Sequence, residues 1–413
     1  MDFSLSSSLV GNAVLNPDKL SLDLQFAADK TLTARKGPTP VFTRGSSATF
    51  VGSNGLIQSA AVNAARFDHD PVTLACKGLL IEESRTNNVF NSGNPTLWNF
   101  TGTNEGSLIA PDGSNGLRAG LGTAQLVTNA ASTTSATAYT LSVFLKRDNT
   151  DWIRVQYNHA TNTNLLNAWF NLSTGTVGTV AVGTGTITSI SASIVPAGNG
   201  WYRCSVTGTT PTTGGLTENI ISAVSDNSVS RVAGSIYGVW GGQIEAGSFP
   251  TSYIPTTTAS VIRSADVCSI TGSAFTSIWN GVDATVFFRG SRIANIVGLT
   301  NWALTSGTLA TTILLDRSGS FERLAVGGTG IITRSPFTTL QEYKTATAVK
   351  TGDYAVSFNG ETALTSSNTF ALSLNAFVIG ASYTGVGHLN GWVNSIKFYK
   401  KRLPNAKLRT LTV

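Results

Sequence analysis

Residues Tyr139–Tyr157 read YTLSVFLKRDNTDWIRVQY. Tyr139–Lys146 and Trp152–Tyr157 both alternate apolar and polar side chains, the period of strands with one face on a core. Moving outward, Ala168–Leu172 runs into the turn Ser173-Thr174-Gly175, and Gly198-Asn199-Gly200 precedes another strand at Trp201–Val206. Ser235–Trp240 leads on to Gln243-Ile244-Glu245. Short strands with turn signals between them describe an antiparallel sandwich over residues 93–270, and a jelly roll is the expected topology.

The same pattern resumes beyond residue 270. Ala284–Arg289, Thr311–Leu315, Glu322–Val326, Thr345–Val349 and Tyr354–Phe358 alternate, and Asn359-Gly360 marks a hairpin. Residues 271–413 therefore form a second sandwich, closed by Leu389–Tyr399 and a short helix over 404–411, with Pro404 near its first turn. Ahead of both lies an extended, hairpin-bearing segment, residues 1–92. Its Leu20, Leu22, Leu24 and Phe26 alternate with polar residues, and Asn54-Gly55 joins Ala48–Val51 to Leu56–Gln58. This segment is expected to pack on the first sandwich, and the strand at Leu20–Phe26, with no visible hairpin partner, is the expected site of pairing between subunits. The fold class is all-β: two antiparallel β-sandwiches after an N-terminal extended and hairpin segment.

Composition agrees. Only 12% of the 413 residues are charged, 42 are Gly, and 8 Trp, 9 Tyr and 19 Phe supply apolar area. That excludes a disordered chain and coiled coils, which need charged outer faces. The net charge of +6 comes from scattered cations, with no nucleic-acid-binding fingerprint, so no nucleic-acid partner is expected. No apolar run is long enough to span a membrane, and the N-terminus lacks the layout of a signal peptide. Cys76, Cys204 and Cys268 are odd in number and widely spaced, which points to reduced thiols.

Three segments carry a resemblance. Residues 42–90 contain FTRGSSATFVGSNGLIQSAAVNAARFDHDP and then CKGLLIEESRTNNVF, and residues 241–256 read GGQIEAGSFPTSYIPT and continue to Arg263-Ser264-Ala265-Asp266. Together they resemble a module of bacteriophage virion structural proteins, in which the two segments flank a jelly roll like that of carbohydrate-binding modules. Residues Leu389–Tyr399, LNGWVNSIKFY, followed by Arg402-Leu403-Pro404, are similar to the last strand and tail of concanavalin A/laminin-G-like domains. Lys407 stands where that tail usually has an acidic residue. The resemblance implies a non-enzymatic protein of the virion exterior, made in the host cytoplasm: a tail fibre or spike contacting host surface glycan. A capsid head-fibre or decoration protein is the alternative, and a glycan depolymerase a further one. It also implies a homotrimer that contacts other virion proteins, of capsid or tail.

The chemistry-bearing residues are few. Hydrolysis of a glycosidic bond needs two carboxylates on one cleft. Glu82 and Glu83 are neighbours on a strand and point to opposite faces, whereas Asp68 and Asp70 bracket a turn. No catalytic residue is assigned. Glu82 or Glu83 is expected to pair with Arg85 or Arg263 if the Arg263–Asp266 stretch packs back on Gly78–Arg85. Sugar binding needs an aromatic face with amides beside it. Most tryptophans lie in alternating strands and read as core. Trp302 with Asn301, outside any clear strand, and Trp98 with Asn99 are the candidates for exposed glycan-binding residues. No metal site is assigned. Calcium has only the oxygen-rich loop Asp112–Gly116 to recommend it, which lacks the calcium-loop pattern, and no cofactor is expected.

Overall fold

The computed structural model describes residues 19–120, 126–127, 131–160, 163–293, 297–319, 321–335, 341–370, 373–382 and 387–413. Two antiparallel sandwiches make up the molecule. In the first, a six-stranded sheet runs in the order Thr188–Pro196, Trp201–Thr209, Ala138–Arg147, Ile236–Ala246, Asn115–Gly120, Thr103–Ile109. Facing it is a seven-stranded sheet in the order Thr176–Thr184, Asn164–Asn171, Trp152–His159, Gly214–Ala223, Leu126–Val127, Asn99–Phe100, with Ala131–Thr133 also paired to Gly214–Ala223. Leu141, Val143 and Leu145 meet Ile153, Val155 and Tyr157 in the core between the sheets, as the alternation requires. The other face of Ala138–Arg147 is covered too: Phe144, Trp201, Trp240 and Tyr253 form a separate aromatic cluster under the extended segment at residues 249–255.

The second sandwich pairs an eight-stranded sheet with a seven-stranded one. Both recruit strands from the beginning of the chain. Gly391–Tyr399 is flanked by Asp283–Arg292 on one side and by Leu20–Leu24 and Cys76–Ile81 on the other, and Phe67–His69 follows at the edge. In the opposite sheet Val41–Thr43 pairs with Val267–Thr271, which pairs with Ala376–Ile379. Three expectations are corrected here. The first 92 residues do not simply pack on the first sandwich, because four of their strands are built into the second; Leu22, Leu24, Leu79 and Ile81 are buried in its core. The boundary near residue 270 also moves, since Val267–Thr271 belongs to the second sandwich. The first sandwich is thus an insertion within the second. The strand at Leu20–Phe26 is likewise no free edge for another subunit: Leu20–Leu24 pairs with Ile396–Tyr399, and Asp23 exchanges backbone hydrogen bonds with Arg35 and Lys36 on its other side. Register between segments hundreds of residues apart leaves no local trace in a sequence, so the alternation identified the strand but not its partner.

Local turn chemistry follows expectation. Ala48–Val51 pairs with Ile57–Ala60 around Asn54-Gly55, where Gly55 takes a φ of +76°. Pro404 caps the C-terminal helix Asn405–Thr412, which buries Leu408.

Candidate functional site

Two clusters of polar groups stand out, and they are built on opposite principles. The first is the junction where the insertion leaves and re-enters the second sandwich. Arg44, Arg66, Glu82, Arg263 and Asp266 meet there with their side chains at most 1% exposed. Arg66 bridges Glu82 Oε2 at 2.8 Å and Asp266 Oδ2 at 2.5 Å; Arg263 reaches Glu82 Oε2 at 2.5 Å, and Arg44 reaches Asp266 Oδ1 at 3.2 Å. Ser252 donates its amide and its hydroxyl to Glu82, each at 2.7 Å, and Glu82 N donates to Asp266. Burial alone would raise the Glu82 carboxyl, but Arg263, Arg66 and Ser252 outweigh it and hold it at about 2. Glu83 takes the other direction, pairs with Arg85 and accepts from Asn390 Nδ2 at 3.1 Å. Arg85 passes directly over Gly247, where any Cβ would collide with its guanidinium.

The four charged residues singled out in the sequence, Glu82, Glu83, Arg85 and Arg263, are therefore all at this junction. Sequence reading missed Arg44, Arg66 and Asp266, although all three lie inside the quoted segments. The carboxylate pairs weighed for hydrolysis are committed to structure. Besides Glu82, Asp68 accepts from Val51 N at 2.6 Å and Trp392 Nε1 at 2.7 Å, and Asp70 accepts from Val72 N and Thr73 N within its turn.

The aromatic candidates require correction. Trp302 is fully buried on the strand Thr300–Thr305, and Asn301 beside it accepts from Arg292 at 3.0 Å and Tyr343 Oη at 2.6 Å. Trp302 and Leu304 do alternate inward, but the Gly and Ser residues around the strand disguised it as a loop. Trp98 is 4% exposed in the core of the first sandwich and donates Nε1 to Asn91 O at 3.1 Å. Neither ring offers a face to a ligand. Asn99 is exposed.

The second cluster lies on the outer face of the seven-stranded sheet in the first sandwich. Paired residues on neighbouring strands share a face, so register defines the rows. One row contains Asn167, Gln156 and Asn219, and two strands further on, Asn99. Gln156 donates to Asn167 Oδ1 at 2.9 Å, and Asn219 donates to Gln156 Oε1 at 2.8 Å. Asn219 Oδ1 is buried and has no hydrogen-bond partner among the described residues. The adjoining row sets Arg154 beside Trp169 and Ile221. Arg154 is 9% exposed, and among the described residues its Nε has no acceptor, as is also true of Arg66, Arg263 and Arg292. Among the described residues no carboxylate pairs with it; its guanidinium sits 6.0 Å from the centre of the Trp169 ring. Burial, and then repulsion from Arg231, push this guanidinium below its ordinary value. Trp169 is fixed in turn by its Nε1 donating to Ser228 O at 2.8 Å. Half-buried Trp152 follows in the next row, against Gly178, where a Cβ would strike both its ring and Asp226.

Along Trp152–His159, then, the outward side chains run aromatic, cation, amide, amide. Such a row can stack on a ring, neutralise an anion and read hydroxyls. Among the described residues no group of His, Cys, Asp and Glu is placed to hold a metal ion. Nor, among the described residues, is any helix long and apolar enough to cross a membrane.

No family model and no curated protein matches the chain. Among solved structures, the mouse laminin α1 chain domains LG4-5 align with 77% of this chain and 88% of theirs, at 8% identity and a TM-score of 0.23. The Trypanosoma rangeli sialidase aligns over 62% of this chain and 50% of its own, at 13% identity and a TM-score of 0.28. The LG1-3 region of the laminin α2 chain aligns over 80% of this chain and 64% of its own, at 8% identity and a TM-score of 0.21. All three are remote likenesses.

Proposed function

We propose that the protein is a non-enzymatic surface protein of a bacteriophage virion, a tail fibre, spike or related adhesin that contacts glycan on its host. The observation that carries this reading is the junction. The two segments resembling virion proteins, 42–90 and 241–266, lie far apart in sequence and fold into one charge-locked module. Their residues Arg44, Arg66, Glu82, Arg263 and Asp266 all converge there, so the resemblance runs through residues that hold the fold together. A buried network of this kind, in which each guanidinium faces a carboxylate, ties one sandwich to the other, which suits a protein that must transmit an attachment without yielding. Half-buried Trp152 and Gln156, with Arg154 between them on the same face of the first sandwich, supply a surface for sugar.

Imaging of intact phage particles with a labelled antibody tests the placement. Label on the tail is expected. Purified full-length protein should bind host cells and lose that binding after periodate treatment of their glycans. Label confined to the capsid, with no binding to cells, would move the protein to the head-fibre or decoration class. Absence from the particle would overturn the virion reading.

A further inference from the structure

We infer that the outer face of the seven-stranded sheet in the first sandwich binds a carboxylate-bearing glycan, with Arg154 as the anchor for the carboxylate. The inference rests on the adhesive reading above and narrows it to acidic sugars.

Arg154 carries the argument because of what the rest of the molecule does with buried arginines. Arg44, Arg66, Arg263 and Arg292 each meet a carboxylate within 3.2 Å, and Arg85 pairs with Glu83. Arg203 has no carboxylate but donates to Thr251 O at 2.6 Å and Ser142 Oγ at 2.9 Å. Arg154 has neither kind of partner among the described residues. A guanidinium cannot shed its proton to escape this situation, as a buried carboxyl or lysine can. Its own neighbourhood makes matters worse, since Arg231 adds positive potential and the Trp169 ring supplies only a weak cation–π contact. An uncompensated buried cation beside a second cation is a site that lacks an anion.

The groups around it say what else that anion carries. Asn219 is 3% exposed, and among the described residues its buried Oδ1 has no donor. Half-buried Gln156, which accepts from Asn219, is the amide of this row that a ligand hydroxyl can reach. Asn219 is locked in orientation by Gln156, itself locked by Asn167, so the acceptor is preorganised. Trp152 lies two residues from Arg154 on the same face and provides a half-exposed ring for the C–H face of a sugar. A carboxylate flanked by hydroxyls and an apolar ring face is a uronic acid or another acidic sugar. A carboxylate also matches the guanidinium fork through two parallel hydrogen bonds.

Affinity electrophoresis and calorimetry on the full chain test this with polygalacturonate, alginate and hyaluronate, each beside its methyl ester. The ester keeps the sugar and removes the charge. At least one free acid should bind at least tenfold more tightly than its ester. Arg154→Gln should lose tenfold or more for that acid, and Asn219→Ala about threefold, with melting temperatures not below that of the wild type for Arg154→Gln. Acid and ester binding alike, or Arg154→Gln binding as well as the wild type, would overturn the acidic-sugar inference and leave glycan adhesion standing. Polyglutamate binding as tightly, with the same dependence on Arg154, would reassign the face to acidic polypeptides. Failure of every polysaccharide together with failure to bind host cells would remove the adhesive reading itself.

Discussion

Arg66 at the junction and Arg154 on the outer face are both buried, and the protein treats them in opposite ways. Arg66 lies between two carboxylates and also donates to Thr49 O at 2.8 Å and Ser252 Oγ at 2.9 Å. Arg154 is offered a tryptophan ring and a second arginine. A charge that exists to hold a fold is satisfied within it; one that exists to meet something else is left wanting until that partner arrives. The contrast separates the structural from the recognitive use of the same side chain without any appeal to fold similarity.

The largest test of the contrast is Glu82→Gln. It takes the shared negative charge from between Arg66 and Arg263, and urea unfolding should report a loss of about 3–5 kcal/mol. A loss under about 1 kcal/mol would mean that these arginines do not depend on their carboxylate, and the distinction from Arg154 would collapse. Acid should act in the same direction. Because the folded Glu82 value of about 2 lies below its ordinary 4.5, its contribution is complete above about pH 4.5 and disappears as the pH falls through about 2. Urea midpoints for the wild type should decline across that window, and those for Glu82→Gln should be flatter.

The acids offer a parallel contrast. Glu218 points into the core of the first sandwich beside Tyr157, and burial, only partly opposed by Arg203, pushes its carboxyl up to about 8. Its folded value lies above 4.5, so the contribution of this one group to stability is greatest below about pH 4.5 and is lost as the pH rises towards about 8. Glu218→Gln should match the wild type at about pH 4 and exceed it at about pH 8 by on the order of 1–3 kcal/mol. Equal stability of the two proteins at both pH values would show that this carboxyl ionises without cost in place. The smallest expected effect is the most discriminating. Arg154→Met should gain about 1 kcal/mol at neutral pH in the absence of any ligand, whereas Arg66→Met should lose stability. A comparable loss from both would place Arg154 among the structural arginines.

Much of this was legible in the chain. Period-two patterning at Tyr139–Lys146 and Trp152–Tyr157 identified strands that do face one core, and Asn54-Gly55 and Pro404 placed a hairpin and a helix. The pairing of Leu20–Leu24 with Ile396–Tyr399 was not legible, because a ladder between distant segments leaves no local spacing to read. Of the junction, Glu82, Glu83, Arg85 and Arg263 were visible as charges next to an apolar strand; Arg44, Arg66 and Asp266 sit beside short strands and turns, where charge is ordinary. Arg154 and Gln156 occupy the polar half of an alternating strand, which reads as a solvated face. Only the absence of a partner makes Arg154 informative, and an absence of contact is not written in a sequence. Trp302 failed for the converse reason: a short strand between glycine-containing turns looks like a loop.

The nesting of one sandwich inside the other sets an order of assembly on the ribosome. The inserted sandwich is contiguous, and its sheets can close once residue 246 has emerged. The outer one cannot, since Ser21 Oγ bonds to Phe398 O across 377 residues of chain. Leu20–Leu24 and Cys76–Ile81 must therefore wait for Gly391–Tyr399, more than 300 residues later, and until it is made each leaves one apolar strand edge without its partner.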